Sequence, residues 1–442
     1  MKKRTLILIV LLILLACGGI LYFAWRGVPA NLSVDAVSGT KPTIGAPHKE
    51  RIPLVDIATP VGWTKGEMPT PAKGLTVNAF AEGLDHPRWL YLLPNGDVLV
   101  AETNSPPREG GGFQAWAMGV LMGRAGAGTA SANRITLLRD TDGDGKADQR
   151  SVLLQGLNSP SGMALVGNTL YVANTDALMA FPYVPGETKI TAKGTKIVSY
   201  PGGGNHWARN VIASPDGTRL YVAIGSATNI GEEGLDKEDG RAAVLEVDPT
   251  KKAFRIFATG LRNPNGLAYE PSSGCLWTTV NERDMLGGDL VPDYMTCLEF
   301  GADYGWPQSY WGGYEDTRVE PPRPDRLEYV KRPDYALGPH VAALGLTFAD
   351  GVNLGPAYAN GAFIGLHGSW NRTPASGYKV VYVPFGANGQ PLPNAKPQDF
   401  LTGFRVGDKA KGRPVAVIKD RTGALLVADD VGNSIWRVSG PK

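Results

Sequence analysis

Histidine and cysteine are the scarcest chemistry-bearing residues of this chain, with five and three among 442 residues. No Cys-X-X-Cys-His occurs, which excludes covalent haem attachment. Charge is low as well: 19% of residues are Asp, Glu, Lys or Arg, and 44 basic against 42 acidic side chains leave a formal charge of +2. Nucleic-acid binders show a basic excess or patch. None stands here beyond the extreme N-terminus, so no nucleic-acid partner is expected. Room for long helices is also short, because 57 glycines and 34 prolines make up about a fifth of the chain. Average usage is about 12%. Disorder is excluded by a hydrophobic share of 43% with 9% aromatics, enough to build a large core.

One long apolar run is present. Met1-Lys2-Lys3-Arg4 is followed by Leu6 to Trp25 without a charge. A helix of that length, at about 1.5 Å per residue, spans about 30 Å of hydrocarbon, and the basic start holds the N-terminus in the cytoplasm. Residues 1–26 therefore read as an N-terminal transmembrane helix in the inner (cytoplasmic) membrane, with the body facing the periplasm or exterior. The alternative is a lipoprotein signal ending at Leu14-Leu15-Ala16-Cys17, and either holds an exported body at the membrane. Cys275 and Cys297 are an even pair for an oxidising compartment; a disulfide and two buried thiols both remain open. Residues 27–74, with prolines at 29, 42, 47, 53, 60, 69 and 71, read as an extended linker that lifts the body off the bilayer.

From Leu75 onward the chain repeats itself. A turn containing Gly or Asn, followed by a short apolar strand, recurs at residues 94–102, 166–174, 214–224, 270–279, 358–366 and 420–428. Val166-Gly-Asn-Thr-Leu-Tyr-Val-Ala-Asn174 and Ser214-Pro-Asp-Gly-Thr-Arg-Leu-Tyr-Val-Ala-Ile224 carry the pattern. Six turn-plus-strand units predict an all-β fold, a six-bladed β-propeller over residues 75–440. Within it, residues 104–133 form a Gly-rich insertion around the apolar patch Phe113–Met122, read as a loop folded back on the propeller, with a lid, a membrane-facing surface or a partner contact as alternatives.

Several constellations carry chemistry. Asp140, Asp142, Asp144 and Asp148 stand at positions 1, 3, 5 and 9 of a calcium-type loop with Gly145 at position 6. The twelfth position is Ser151, which cannot supply the bidentate carboxylate, so a structural calcium competes with a solvated acidic turn. His206, in Gly202-Gly-Gly-Asn-His-Trp-Ala-Arg-Asn210, is a candidate general base, because imidazole titrates near neutrality. Arg262, Arg372, Lys411 and Arg413 come from loops of different repeats. Gathered on one face they would make a cationic socket for a polyanionic small molecule.

In their order, His206, Gly260-Leu-Arg-Asn-Pro264, Asn281-Glu-Arg-Asp284, Asp303-Tyr-Gly-Trp-Pro307, His367-Gly-Ser-Trp-Asn-Arg372 and Arg413 resemble the pyrroloquinoline-quinone (PQQ) dependent glucose/sorbosone dehydrogenases. The resemblance covers about residues 75–440 and is nearest to the membrane-anchored sorbosone dehydrogenase branch. It implies that His206 takes the hydroxyl proton and that Arg262 and Asn263 reach the cofactor. It further implies that Lys411 and Arg413 hold PQQ carboxylates, Lys411 departing from the commoner Arg, with a further contact from His367 or Arg372. Calcium bound partly by backbone carbonyls would fall near Asp284 and Met285, where the usual Gly-Pro is absent. The expected activity is oxidation of an aldose or sorbosone-type sugar, with electrons passed to a respiratory quinone or cytochrome. Two other functions compete: a calcium-dependent sugar lactonase, which wants carboxylate and Asn ligands on the propeller axis, and a non-catalytic propeller that binds carbohydrate or protein.

Overall fold

Each repeated segment forms the turn and second strand of an antiparallel sheet. In the computed structural model, which describes residues 3–107, 119–120, 123–124, 126 and 128–441, six sheets of four or five strands follow one another along the chain. Their innermost strands are Pro87–Leu92, Met163–Val166, Arg209–Ala213, Asn263–Tyr269, Ala343–Phe348 and Pro414–Lys419, which define blades 1 to 6. Each touches the next, and the sixth touches the first, so the sheets close into a β-propeller. The propeller's first and last strands complete the ring: Thr76–Ala81 pairs antiparallel with Ser434–Ser439 as the outer strand of blade 6.

Second strands are sealed on both faces. Val98–Glu102, Gly361–Leu366 and Leu425–Asp429 are buried at every position, which is why they read as apolar runs and not as alternating patterns. Between blades 4 and 5, Trp277, Phe348, Ile364 and Phe385 pack in one cluster. Cys275 and Cys297 form a disulfide, Cα atoms 5.9 Å apart, joining the second and third strands of blade 4.

Antiparallel pairing decides where function gathers. In every blade the start of the innermost strand lies beside the end of the second: Pro87 opposite Glu102, Arg209 opposite Ile224, Asn263 opposite Asn281, Ala343 opposite Leu366, Pro414 opposite Asp429. The residues just before the one and just after the other form a single rim.

The Pro-rich segment is not a free spacer. Glu50 is fully buried; its amide donates to Met285 O and its carboxylate accepts from Asn371 Nδ2 at 3.3 Å. Trp63 Nε1 donates to Asp429 Oδ2 at 2.7 Å. These buried polar anchors hold the segment against the rim, which sequence composition does not reveal. Ahead of it runs one long helix, α1 (Lys3–Trp25), whose side chains from Ile7 to Leu15 are exposed. Among the described residues no helix is long and apolar enough to cross a membrane; side chains at positions 3–6, 20, 21 and 24 lie outside them. Most of the Phe113–Met122 patch also lies outside the described residues.

Candidate active site

A short motif recurs at the rim. Gly83-Leu-Asp-His-Pro87, Gly156-Leu-Asn-Ser-Pro160 and Gly260-Leu-Arg-Asn-Pro264 each lead into an innermost strand. The glycines have φ of +65°, +70° and +70°, a region that strains residues with a Cβ. At Gly260 a Cβ would also strike Asp303 Oδ1 and the Gly305 amide. The motif sets His86, Ser159 and Asn263 at equivalent places in blades 1, 2 and 4.

His206 precedes the innermost strand of blade 3. Its Nδ1 lies 2.9 Å from both Ser226 O and Ser226 Oγ. A carbonyl oxygen only accepts, so Nδ1 carries the hydrogen and Nε2 keeps its lone pair. Burial, reinforced by the Arg262 guanidinium, holds the ring's pKa well below the ordinary value. The imidazole is therefore neutral at neutral pH, ready to accept a proton.

Arg262 is buried in blade 4 and donates to Asn229 O, Asn229 Oδ1 and Glu282 O at 3.1, 2.9 and 2.7 Å. Asp284 Oδ2 stands 3.7 Å from it, and Asp284 Oδ1 is 3.0 Å from His340 Nδ1. Despite burial, the hydrogen bond from His340 and the charge of Arg262 hold the Asp284 carboxyl below its ordinary pKa. The carboxylate thus stays ionised between two cationic partners.

The carbonyls expected to hold calcium are engaged otherwise. Asp284 O accepts from Arg283 Nε and Nη2 and from Asn229 Nδ2. Met285 O accepts from Arg318 Nη1 at 2.9 Å and from the Glu50 amide. Oxygens already pointed at by guanidinium groups do not suit a divalent cation, so Asp284 and Met285 do not fit the expected role of calcium ligands.

Arg413 and His367 do meet. Arg413 Nε and Nη2 donate to His367 O and Gly368 O at 2.9 and 2.8 Å, leaving Nη1 without a partner among the described residues. His367 Nε2 lies 2.8 Å from Asp430 Oδ2, an oxygen shared with Arg88 Nη1 at 2.5 Å and with His86 Nε2 at 3.5 Å. Arg88 also sits over the Trp207 ring, 5.6 Å from its centroid. Burial, with Arg413 adding to it, pushes His367 down to about 3, and burial also lowers His86. Both rings are neutral, and the fixed positive charge comes from Arg88 and Arg413. These side chains line a cavity of about 610 Å³ that also takes in Asn205 and Trp207, the two neighbours of His206.

Two expected members of the socket stand elsewhere. Lys411 Nζ bonds Glu67 Oε1 at 2.8 Å and lies over the Trp63 ring, drawn aside by the linker. Arg372 is buried, its guanidinium donating to Gly288 O, Pro374 O and Leu32 O; it staples loops and has no donor aimed at the cavity. Asn263 remains half-buried beside Gly225 and His206. In the acidic loop, Asp140, Asp142 and Asp148 bring carboxylate oxygens within 4.8 Å of one another while Asp144 is outside the group. Each already accepts from turn amides or from Thr141.

Sequence reasoning missed His86, Arg88, His340 and Asp430. The recurring Gly-Leu-X-X-Pro would have found His86, and scarcity would have found His340: four of the five histidines, 86, 206, 340 and 367, stand at this rim.

The fold and site define a β-propeller with a cationic, histidine-lined cavity at one rim. The chain belongs to the TrAA12-like family, whose model matches residues 125–292 and 326–440. It is 30% identical over 294 residues to an uncharacterized protein of Borreliella burgdorferi, covering 64% of this chain and 76% of that one. It is 25% identical over 436 residues to the pyrroloquinoline quinone-dependent pyranose dehydrogenase of Coprinopsis cinerea, covering 84% of this chain but 55% of the relative. With the aldose sugar dehydrogenase of Escherichia coli it shares 26% identity over 175 residues, 37% of this chain and 45% of that one. The chain thus spans about half the length of these two dehydrogenases. Among solved structures, the calcium structure of the Trichoderma reesei Family AA12 enzyme superposes with a TM-score of 0.69 at 20% identity, covering 87% of this chain and 98% of that one. The holo PQQ domain of the Coprinopsis cinerea enzyme gives 0.67 at 21%, covering 87% of this chain and all of that one.

Proposed function

We propose that this chain is a PQQ-dependent dehydrogenase that oxidises an aldose or sorbosone-type sugar. The carrying observation is His206, neutral and held through Nδ1, whose chain neighbours Asn205 and Trp207 line a cavity that Arg413 and Arg88 make cationic. The donor set suits PQQ: Arg88 and Arg413, from blades 1 and 6, bring guanidinium groups to the lining of a cavity that must hold an anionic cofactor. Trp207 offers a planar wall, and Asp430 Oδ1, buried without a partner among the described residues, leaves an acceptor for a hydroxyl donor. Bound PQQ would supply an ortho-quinone that accepts hydride. His206 Nε2 takes the proton of the sugar hydroxyl as the carbon is oxidised, while Arg262 and Asn263 orient the reacting face and Asp284 steadies the positive charge forming on His206. The two electrons leave to a respiratory quinone or cytochrome. No step is assigned to calcium, since the carbonyls proposed for it accept from guanidinium groups.

α1 serves as a single-pass anchor in the cytoplasmic membrane with the propeller outside. The uncharged run Leu6–Trp25 supports this, as does a disulfide suited to an oxidising compartment. A lactonase is less well supported, because the rim carboxylates Asp284 and Asp430 are each engaged by a cation and a histidine.

The test is PQQ titration into the cofactor-free full chain, with and without calcium. Dye reduction is followed with aldoses and sorbosone, and His206→Ala is the control. Activity that needs PQQ and falls about 10³-fold or more in the variant supports the reading. Absence of PQQ binding by a folded chain overturns it in favour of a binding or lactonase role.

A further inference from the structure

The linker brings the apolar helix to the same rim that carries His206. Trp25 O accepts from the amides of Arg51 and Ile52, both at 3.0 Å, and the Arg51 guanidinium lies 5.0 Å from the Trp25 ring centroid. The adjacent Glu50 is the buried residue whose amide meets Met285 O, whose carbonyl accepts from Arg318 at 3.1 Å and whose carboxylate meets Asn371. Met285 and Asn371 sit on the loops that leave the second strands of blades 4 and 5 at the rim. The end of α1 is therefore tied to the rim through Glu50, and also through Val28 O and the Ala30 amide, which meet the Gly288 amide and Thr373 O.

Exposed aliphatic side chains continue from this point. Ile52 is 38% exposed and Val55 39%; further along, Val61 reaches 51% and Val406 58%. Val406 lies in a small sheet, in which Thr59–Pro60 pairs with Lys409–Ala410 and the latter with Arg405–Val406, and Val61 follows directly, its amide donating to Ala410 O. Lys49, Arg51 and Lys409 are exposed among them, with Asp408 exposed beside Lys409, and Asp56 is neutralised by Arg405 at 2.9 Å. Single exposed aliphatics are ordinary. A row of them, interleaved with cations and continuous with an apolar helix, matches the composition of interfacial lipid-binding surfaces.

We infer that the rim bearing the site is a lipid-contacting surface: Ile52, Val55, Val61 and Val406 enter the headgroup region of an anionic bilayer, and the cavity lined by Trp207 and Arg413 opens toward the membrane. This rests on the reading of α1 as an anchor. The repeat turns of the opposite rim, and Val184 beside them, 63% exposed, point to bulk water.

The test uses the full chain in a Cys17→Ser background, where the disulfide leaves no other thiol. It is reconstituted in vesicles of phosphatidylethanolamine and phosphatidylglycerol. Single cysteines replacing Val61, Val406 or Val184 carry an environment-sensitive fluorophore, and quenching by lipids brominated near the headgroup is read. The expected result is several-fold stronger quenching at 61 and 406 than at 184. Retention on the vesicles after an alkaline carbonate wash, with equal quenching at all three positions or the strongest at 184, overturns the orientation while the anchor stands. Release of the chain by the wash overturns the anchor reading, and the orientation with it.

Discussion

Arg413 Nε donates to the backbone oxygen of His367 at 2.9 Å, tying the start of blade 6 to the end of the second strand of blade 5. Arg413 itself lines the cavity. Lys411, two residues away, is committed to Glu67. The two cations, expected from sequence to act as a pair, should therefore separate in a binding experiment. Arg413→Ala should weaken PQQ binding about tenfold to a hundredfold, the worth of charge-assisted hydrogen bonds of about 1.5–3 kcal/mol. Lys411→Ala should leave it nearly unchanged, because its ammonium is committed to Glu67 and it is not among the residues lining the cavity. Equilibrium dialysis of PQQ against each variant decides; equal losses would put Lys411 back in the socket.

Three rim histidines have their pKa lowered by burial, His206, His86 and His367. Catalytically, the acid limb of kcat/KM should lie well below pH 6.5, because His206 stays an unprotonated base into mildly acidic solution. A limb centred at or above 6.5 contradicts the assigned environment. Thermodynamically, the unfolded chain binds protons near pH 6.5 that the folded chain refuses. These groups' contribution is therefore fully present above 6.5 and drains as pH falls below it. Measured as Tm from pH 7.5 to 5, the gap between His367→Asn and wild type should therefore shift in the variant's favour as pH falls.

The fold was legible because one hairpin is repeated. All six segments found in the sequence are the turn at the far rim plus the second strand of a blade, the part that must be turn-rich and then continuously apolar because both faces are packed. The site stands at the opposite end of those strands, where each blade diverges. His206 and Arg262 could be placed from their motifs. His340 and Asp430 could not, since their roles come from partners 56 and 63 residues away, Asp284 and His367. Lys411 and Arg372 misled for a related reason: a cation near a motif is a ligand only if nothing else claims it, and Glu67 and three loop carbonyls do so here. The linker's composition told of an extended chain but not of Glu50, whose burial depends on partners in blades 4 and 5.

Glu282 and Asp293 face each other beneath the rim: the Glu282 amide donates to Asp293 Oδ1 at 2.7 Å. Burial raises the Glu282 carboxyl to about 8, with the Arg262 charge opposing it; burial also raises Asp293, to about 7. A carboxyl whose folded pKa lies above its unfolded value contributes stability at low pH that is lost as pH rises through the folded value. Wild type should thus lose stability between pH 5 and about 8 through this group. Glu282→Gln, a neutral isostere, should be level with wild type at pH 5 and more stable by about 1 kcal/mol or more at pH 9. Urea denaturation at the two pH values checks this, and a constant difference would mean that Glu282 is already ionised.

The disulfide and the site lie at opposite ends of blade 4. Cys275 precedes the second strand and Cys297 ends the third, both at the rim away from His206 and Arg262. The bridge closes a loop of sequence separation 22, for which loop entropy gives about 3 kcal/mol. Cys275→Ser with Cys297→Ser should therefore lower the unfolding free energy by about that amount while leaving PQQ affinity and kcat within about twofold, because no rim contact runs through either sulfur. Chemical denaturation paired with dye-reduction kinetics separates the two effects. Loss of cofactor affinity at unchanged stability would mean that blade 4 transmits strain along its strands from one rim to the other, which its buried, continuously paired second and third strands are built to resist.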